Sequence, residues 1–299
     1  MALTHGLVQL YLDLWQRGVF KSVKSVIELG SQEFYQVRPQ DFERWLAGVG
    51  LSGYTPERFP NLNQDPDDWR RRCPAKPFYE LLGAERYACI DVNAKHGAIP
   101  LDLNVPLPDE TLSACGQFDL VTDHGCAEHV FNIDEVFRTM HRLCAPHGFI
   151  VSAQNLYGGN GYYNFDTAFY EGLAAANQYR VLFASYLITP KYRQPGGVYD
   201  QFHVAPTEAM LRTLDWATLE FIGLCYVFQK PHDRPFQLPY QDGLLARRQG
   251  HYGFRVHGLT DPLSRIYVPV TDDSLAYMST RALVNLVLRR IAARVGRSR

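Results

Sequence analysis

Four short apolar runs limit what this chain can fold into: SVIEL (25–29), RYACI (86–90), FDLVT (118–122) and FIVSA (149–153). Each is rich in β-branched, aromatic or small apolar residues, and none shows a clean alternation of polar and apolar positions. Runs of that kind are strands buried on both faces, which is the environment of a parallel sheet covered by helices. Helical patterns separate them: RPQDFERWLAGVG (38–50), FYELLG (78–83), and a stretch from roughly Ala127 to Cys144. Strands alternating with helices predict an open α/β sheet. Farther on, DTAFYEGLAAANQY (166–179) reads as a helix. RVLFASYLI (180–188) and LEFIGLCYVFQK (219–230) read as strands, and the two together suit an antiparallel edge hairpin.

The N-terminus, MALTHGLVQLYLDLWQRGVFKS, carries Asp13 inside its apolar part and lacks a basic start, so it is expected to be an amphipathic helix rather than a signal peptide. No apolar run approaches the ~18 residues of a membrane span. A formal net charge of -1 gives no long-range field to steer the chain onto a polyanion, so nucleic acid is not an expected partner. The six cysteines contain no CxxC pair, which argues for reduced thiols and a cytoplasmic setting.

Two segments, 51–77 and 189–206, are rich in Pro, Gly, Asn and charged residues and are expected to be irregular insertions that act as lids. Residues 1–230 are expected to form the main domain and residues 231–299 a C-terminal extension. Its last helix, 281–299, combines an apolar stripe with six arginines and no acid, which suits packing on the core or on a second subunit, with a membrane-surface helix as the alternative.

In an open α/β sheet the ligand lies at the carboxyl ends of the strands. After the first run stand Gly30, Ser31, Gln32 and Glu33, with Glu28 just before. Asp91 ends the second run, where its carboxylate either accepts from two ribose hydroxyls or caps the following turn. Asp102 in PLDLN and the pair Asp123–His124 repeat the pattern at the next two strand ends. Taken in order, VIELGS, CIDVN, PLDLN and FDLVTDHGCAEHV resemble the motifs of the class I S-adenosylmethionine (SAM)-dependent methyltransferases, over roughly residues 20 to 230.

That resemblance implies a Rossmann-like, mostly parallel sheet with helices on both faces, and SAM as cofactor. It also implies that Glu28, Gly30 and the Ser31–Gln32 backbone lie by the methionine portion. Asp91 then holds the ribose, Asp102 and the Leu103 backbone contact adenine, and His124 packs by the sulfonium. The family's first motif has two or three glycines, whereas this chain keeps Gly30 alone. The loss also argues against a dinucleotide, whose fingerprint needs its later glycines for the pyrophosphate.

Methyl transfer is an in-line displacement that needs positioning, plus a base where the acceptor is a hydroxyl. His129, next to Glu128, and His124 on the preceding loop are the candidate bases, against a purely structural reading in which Glu128 stabilises a helix start. An E-x-x-E-H metal motif would need a first Glu that this chain lacks at Gly125, so no metal is expected even with His203 available on the second insertion. Tyr157, Tyr162, Tyr163 and Asn164 follow the FIVSAQN run and suit a planar or sugar-like acceptor, or else simply cover the sheet end. The expected activity is methylation of a small-molecule or glycan hydroxyl. The alternative is a catalytically silent SAM-binding relative that serves as a regulatory or assembly subunit.

Overall fold

The computed structural model describes residues 2–62, 72–191 and 201–239, with positions 280, 283, 284, 287 and 288. The apolar runs become the strands β2 (Ser25–Leu29), β4 (Arg86–Ile90), β5 (Phe118–His124) and β6 (Cys144–Tyr157). Later come β7 (Arg180–Pro190), β8 (Phe202–Val204) and β9 (Leu219–Gln229). These seven form one sheet in the order β4-β2-β5-β6-β9-β7-β8. The pairs β2/β4, β2/β5 and β5/β6 are parallel, while β6/β9, β9/β7 and β7/β8 are antiparallel.

Residues one apart on a strand enter different cores, as the period of two requires. Val26, Leu120, Val151, Phe183 and Val227 pack beneath α1 (His5–Gln16), α2 (Pro39–Gly48) and α3 (Lys76–Leu81). Ile27, Val121, Ile150, Ala184 and Phe228 face α4 (Asp109–Cys115), α5 (Ile133–Leu143) and α6 (Thr167–Asn177). Helices therefore cover both faces of a mostly parallel core.

Four local expectations change. The N-terminal helix is preceded by a strand, β1 (Ala2–Thr4), which pairs in parallel with β3 (Glu33–Tyr35). Three-residue strands carry no readable period. The expected helix from Ala127 begins instead as a 3-10 turn over Ala127–His129; Val130 is extended, and α5 starts at Ile133. There the Glu128 carbonyl accepts from Tyr162 N at 2.7 Å, which diverts the backbone from a helical ladder.

The PLDLN segment reaches the sheet only through a parallel bridge between Ile90 and Ile99. Pro100 has no N–H to donate, so pairing stops there and Asp102 sits in a turn rather than at a strand end. Finally, part of the second insertion is the edge strand β8, and β9 lies between β6 and β7.

Of the first insertion, residues 63–71 lie outside the described residues. The described Phe59 and Leu62 are buried with Phe34 and Phe42 in the α1–α3 core, so this part is packed structure. Residues 192–200 and most of 240–299 also lie outside the described residues, among them most of the arginine-rich helix. Among the described residues, no helix is long and apolar enough to cross a membrane.

Candidate functional site

Sequence order in the sheet reverses at β2, whose neighbours are β4 on one side and β5 on the other. Such a switch point leaves a crevice beyond the strand ends. A cavity of about 370 Å³ opens on the β5 side of it. Its walls include His124, Gly125, Glu128 and His129 after β5, and Gly158 to Asn160 after β6. Leu187 and Thr189 of β7 and Glu220 and Phe221 of β9 also line it. Ala2, Thr4, Tyr35 and Gln36 of the β1–β3 pair close it from above.

Asp123 organises the turn that carries the imidazoles. It is fully buried, and its Oδ1 accepts from Cys126 N at 2.9 Å and Ala127 N at 3.1 Å. Burial outweighs these bonds and pushes its carboxyl up to about 6. Gly125, with φ +75°, makes the bend a side chain would resist. Glu128 is then held on two sides: its N–H donates to Gln154 Oε1 at 3.1 Å, and its Oε2 accepts from Asn155 N at 2.5 Å. Burial raises the Glu128 carboxyl.

The two histidines part ways chemically. His124 is 2% exposed, its Nε2 lies 3.1 Å from the Tyr11 hydroxyl, and burial drives it down to about 3. It stays neutral at any ordinary pH, and so weak a base takes little part in proton removal. His129 keeps 40% of its side chain exposed, and burial lowers it from the ordinary imidazole value. Its Nε2 is 3.6 Å from Glu128 Oε1, too far for the hydrogen bond that would fix its tautomer.

On the other side of the switch point, Gly30 adopts φ +81° and donates to the Ile90 carbonyl at 2.7 Å. Asp91, 7% exposed, accepts from Ser31 N at 2.8 Å through Oδ2 and from Asn93 N at 3.1 Å through Oδ1. The carboxylate thus ties the loop after β2 to the loop after β4. Each of its oxygens retains a second lone pair for a ligand.

Glu33 gathers Lys95 and His96, the latter at 2.9 Å, over the same loops. Gln32 is fully buried and donates to the Leu29 carbonyl at 2.7 Å. Glu28 is fully buried as well, accepts from the Tyr87 hydroxyl at 2.5 Å, and is pushed by desolvation up to about 8. It faces the tyrosines beneath α1 and α3, away from the crevice.

Asp102 is exposed and accepts from Asn104 N at 2.8 Å, while Leu103 is buried in the core. Of the four residues expected to form an acceptor pocket, Tyr157, Tyr162, Tyr163 and Asn164, none lines the cavity. Tyr157 stands edge-on to Trp216 at 5.0 Å, Tyr162 is 71% exposed against Phe131, and the Tyr163 hydroxyl donates to the Phe131 carbonyl. Asn164 accepts from Asn155 Nδ2 at 2.6 Å, which pins the glycine loop. His203 is taken up by structure: its Nε2 donates to the Gly6 carbonyl at 3.0 Å, and its Nδ1 accepts from Ser185 Oγ at 2.7 Å.

The structure therefore brings His124 and His129 together at the cavity and keeps Gly30, Ser31 and Asp91 together beside it. Sequence reasoning missed Thr4, Tyr35 and Gln36, which reach the cavity only because β1 pairs with β3, and Tyr11, the partner of His124.

No family model matches this chain, and no curated protein does. Solved structures do match. The N-methyltransferase NodS from Bradyrhizobium japonicum WM9 is 11% identical at a TM-score of 0.35, covering 75% of this chain and 96% of that one. A SAM-dependent methyltransferase from Archaeoglobus fulgidus is 10% identical at 0.36, covering 75% and 94%. The 1,6-didemethyltoxoflavin-N1-methyltransferase of Burkholderia thailandensis, with bound 1,6-didemethyltoxoflavin and S-adenosylhomocysteine, is 11% identical at 0.33, covering 76% and 80%.

Proposed function

We propose that this protein transfers a methyl group from SAM to a hydroxyl of a small molecule or glycan. The observation that carries the reading is the cavity beside the switch point, with one imidazole that titrates and one that does not in its wall. Gly30, Ser31 and Asp91 are the residues that would hold SAM: Gly30, at φ +81°, adds no side chain to the loop, and Asp91 has lone pairs for the ribose. Glu28 does not fit a contact with the methionine portion, because it is sealed under α1 and α3. When bound, SAM supplies an electrophilic methyl group.

The chain's own residues supply the rest. His129 takes the acceptor's hydroxyl proton on an imidazole nitrogen, and Asp123 and Glu128 hold the turn that presents it. Neutral His124 hydrogen-bonds without competing for that proton. The β1–β3 pair above the cavity keeps water away. Incubating the protein with methyl-labelled SAM and small-molecule extract tests this directly: a labelled product is expected, and its absence with functional cofactor binding would favour the silent relative. The single glycine and the Ser31–Asp91 bond give that second reading its specific support.

Asp91→Ala removes the proposed ribose acceptor and also releases the Ser31 and Asn93 N–H groups. Loss of a charged acceptor is expected to weaken S-adenosylhomocysteine binding by about 1 to 3 kcal/mol. Titration calorimetry checks it; wild-type affinity in a folded variant would reduce Asp91 to a loop tie.

A further inference from the structure

The mouth of the cavity carries information that its wall does not. Among the described residues, the exposed aromatic side chains are Phe131, Tyr157, Tyr162 and Trp216. Single exposed apolar residues are ordinary on a protein surface; a cluster of them marks a place where something binds. These four form two edge-on pairs, Phe131 with Tyr162 at 5.9 Å between ring centres and Tyr157 with Trp216 at 5.0 Å.

Both pairs adjoin one wall of the cavity. Gly158, Gly159 and Asn160 line it, with Tyr157 just before them and Tyr162 two residues after. Phe131 follows the lining residue His129 by two positions, and Trp216 precedes the lining residue Glu220 by four. Cα atoms two positions apart are separated by at most about 7.6 Å, so the Phe131 and Tyr162 backbones stand at the mouth.

Their mounting is fixed by the turn that carries His129. Tyr162 N donates to the Glu128 carbonyl at 2.7 Å, and the Tyr163 hydroxyl donates to the Phe131 carbonyl at 2.6 Å. A Cβ on Gly161 would come within 2.7 Å of the Glu128 carbonyl oxygen, so this loop lies directly on that turn. Phe131 and Tyr162 are the more open pair, at 73% and 71% exposure. Rings held in water on a tied backbone lose little freedom when a partner stacks on them, and they gain the burial they otherwise forgo.

Size points the same way. At about 370 Å³ the cavity is near the small end of ligand sites, so an acceptor larger than about one ring extends past the rim. An aromatic ring there offers a flat apolar surface, which suits an aryl group or the C–H face of a sugar.

We propose that the acceptor carries at least two rings, one in the cavity and a second stacked on Phe131 and Tyr162 at its mouth. This deepens the transfer reading above and rests on it for which ring is methylated, while the two-ring preference is read by binding alone.

The test is ligand-observed NMR on the full chain with no methyl donor present. Methyl β-glucoside is compared with methyl β-cellobioside and with phenyl β-glucoside, and methyl β-galactoside with methyl β-lactoside and phenyl β-galactoside. In at least one series a two-ring probe is expected to bind about threefold to tenfold more tightly than its one-ring counterpart. The disaccharide and phenyl arms tell a sugar outer ring from an aryl one. Phe131→Ala and Tyr162→Ala, both at exposed positions, are each expected to bring the two-ring probe down to the one-ring level.

Equal binding of one-ring and two-ring probes, silence from every two-ring probe, or an unchanged preference in both folded variants would overturn the proposal. So would a chain that is dimeric by light scattering and monomeric as Phe131→Ala with probe binding unaltered, which would give the rings to a second copy. Two-ring probes that bind and are never methylated once SAM is added would remove the transfer reading and leave this one intact. Methylation of one-ring acceptors with no two-ring preference would do the reverse.

Discussion

Replacing His129 by alanine is expected to lower turnover by about 100-fold to 10,000-fold while S-adenosylhomocysteine affinity stays within about twofold, since proton transfer contributes only along the reaction path. His129 lines the cavity, apart from Gly30 and Asp91, so its loss leaves the proposed donor side untouched. The pH profile gives an independent reading with a defined sign. A base works in its deprotonated form, and burial lowers His129 from the ordinary imidazole value of 6.5. The rate should therefore climb on the acid side of 6.5 and be level by neutrality. A limb centred above 7, or an active His129→Ala enzyme with a flat profile, would leave positioning alone as the mechanism.

Glu28→Gln is expected to make the protein more stable at pH 8 than the wild type, by about 3 to 5 kcal/mol relative to the difference at pH 4. The carboxyl titrates at 4.5 ordinarily and at about 8 in the folded protein, because burial beneath Tyr11, Tyr79 and Tyr87 penalises its charge. Below 4.5 it is protonated in both states and costs nothing. Between 4.5 and 8 the unfolded chain has lost the proton while the folded chain keeps it, so wild-type stability falls by up to about 1.4 kcal/mol per pH unit. Above 8 the loss is complete.

Glutamine keeps an acceptor for the Tyr87 hydroxyl and never ionises. Asp123, raised in the same direction, contributes equally to both proteins and cancels in the difference. Denaturant titrations of the pair from pH 4 to 9 measure it, and parallel curves would show that Glu28 is ionised in the folded state. The same variant should keep wild-type S-adenosylhomocysteine affinity, since Glu28 has no access to the crevice.

The strands of the parallel core were legible because a run buried on both faces is written in the sequence as mostly apolar residues without alternation, as in SVIEL and FDLVT, where one acid interrupts each run. The antiparallel edge was legible for the same reason, though β8 was not: three residues, Phe202–Val204, give no period to read. That limit has functional weight. The strand β1 is equally short, yet its pairing with β3 is what brings Thr4, Tyr35 and Gln36 over the cavity.

Strand ends also told where polar side chains would gather, at Asp91, Asp123 and His124, but not which way each would turn. Whether Glu28 faces a crevice or a nest of tyrosines is decided by strand pleat and by Tyr11 and Tyr79 from distant helices, which no local pattern encodes. The same holds for the two imidazoles. Five residues apart in sequence, they differ because Tyr11 and the sheet enclose His124 while the turn leaves His129 half open. The aromatics that follow the FIVSAQN run show the opposite case: Tyr157 and Tyr162 looked like a ligand platform, whereas Gly158, Gly159 and Asn160 line the cavity.

The central claim is that the loops after β2 and β4 hold SAM beside this cavity. Titration calorimetry of the purified chain with SAM and with S-adenosylhomocysteine tests it most directly. The account predicts saturable binding of both at one site per chain, weakened by Asp91→Ala and indifferent to Glu28→Gln. No heat of binding from either compound, with the protein folded, would contradict it.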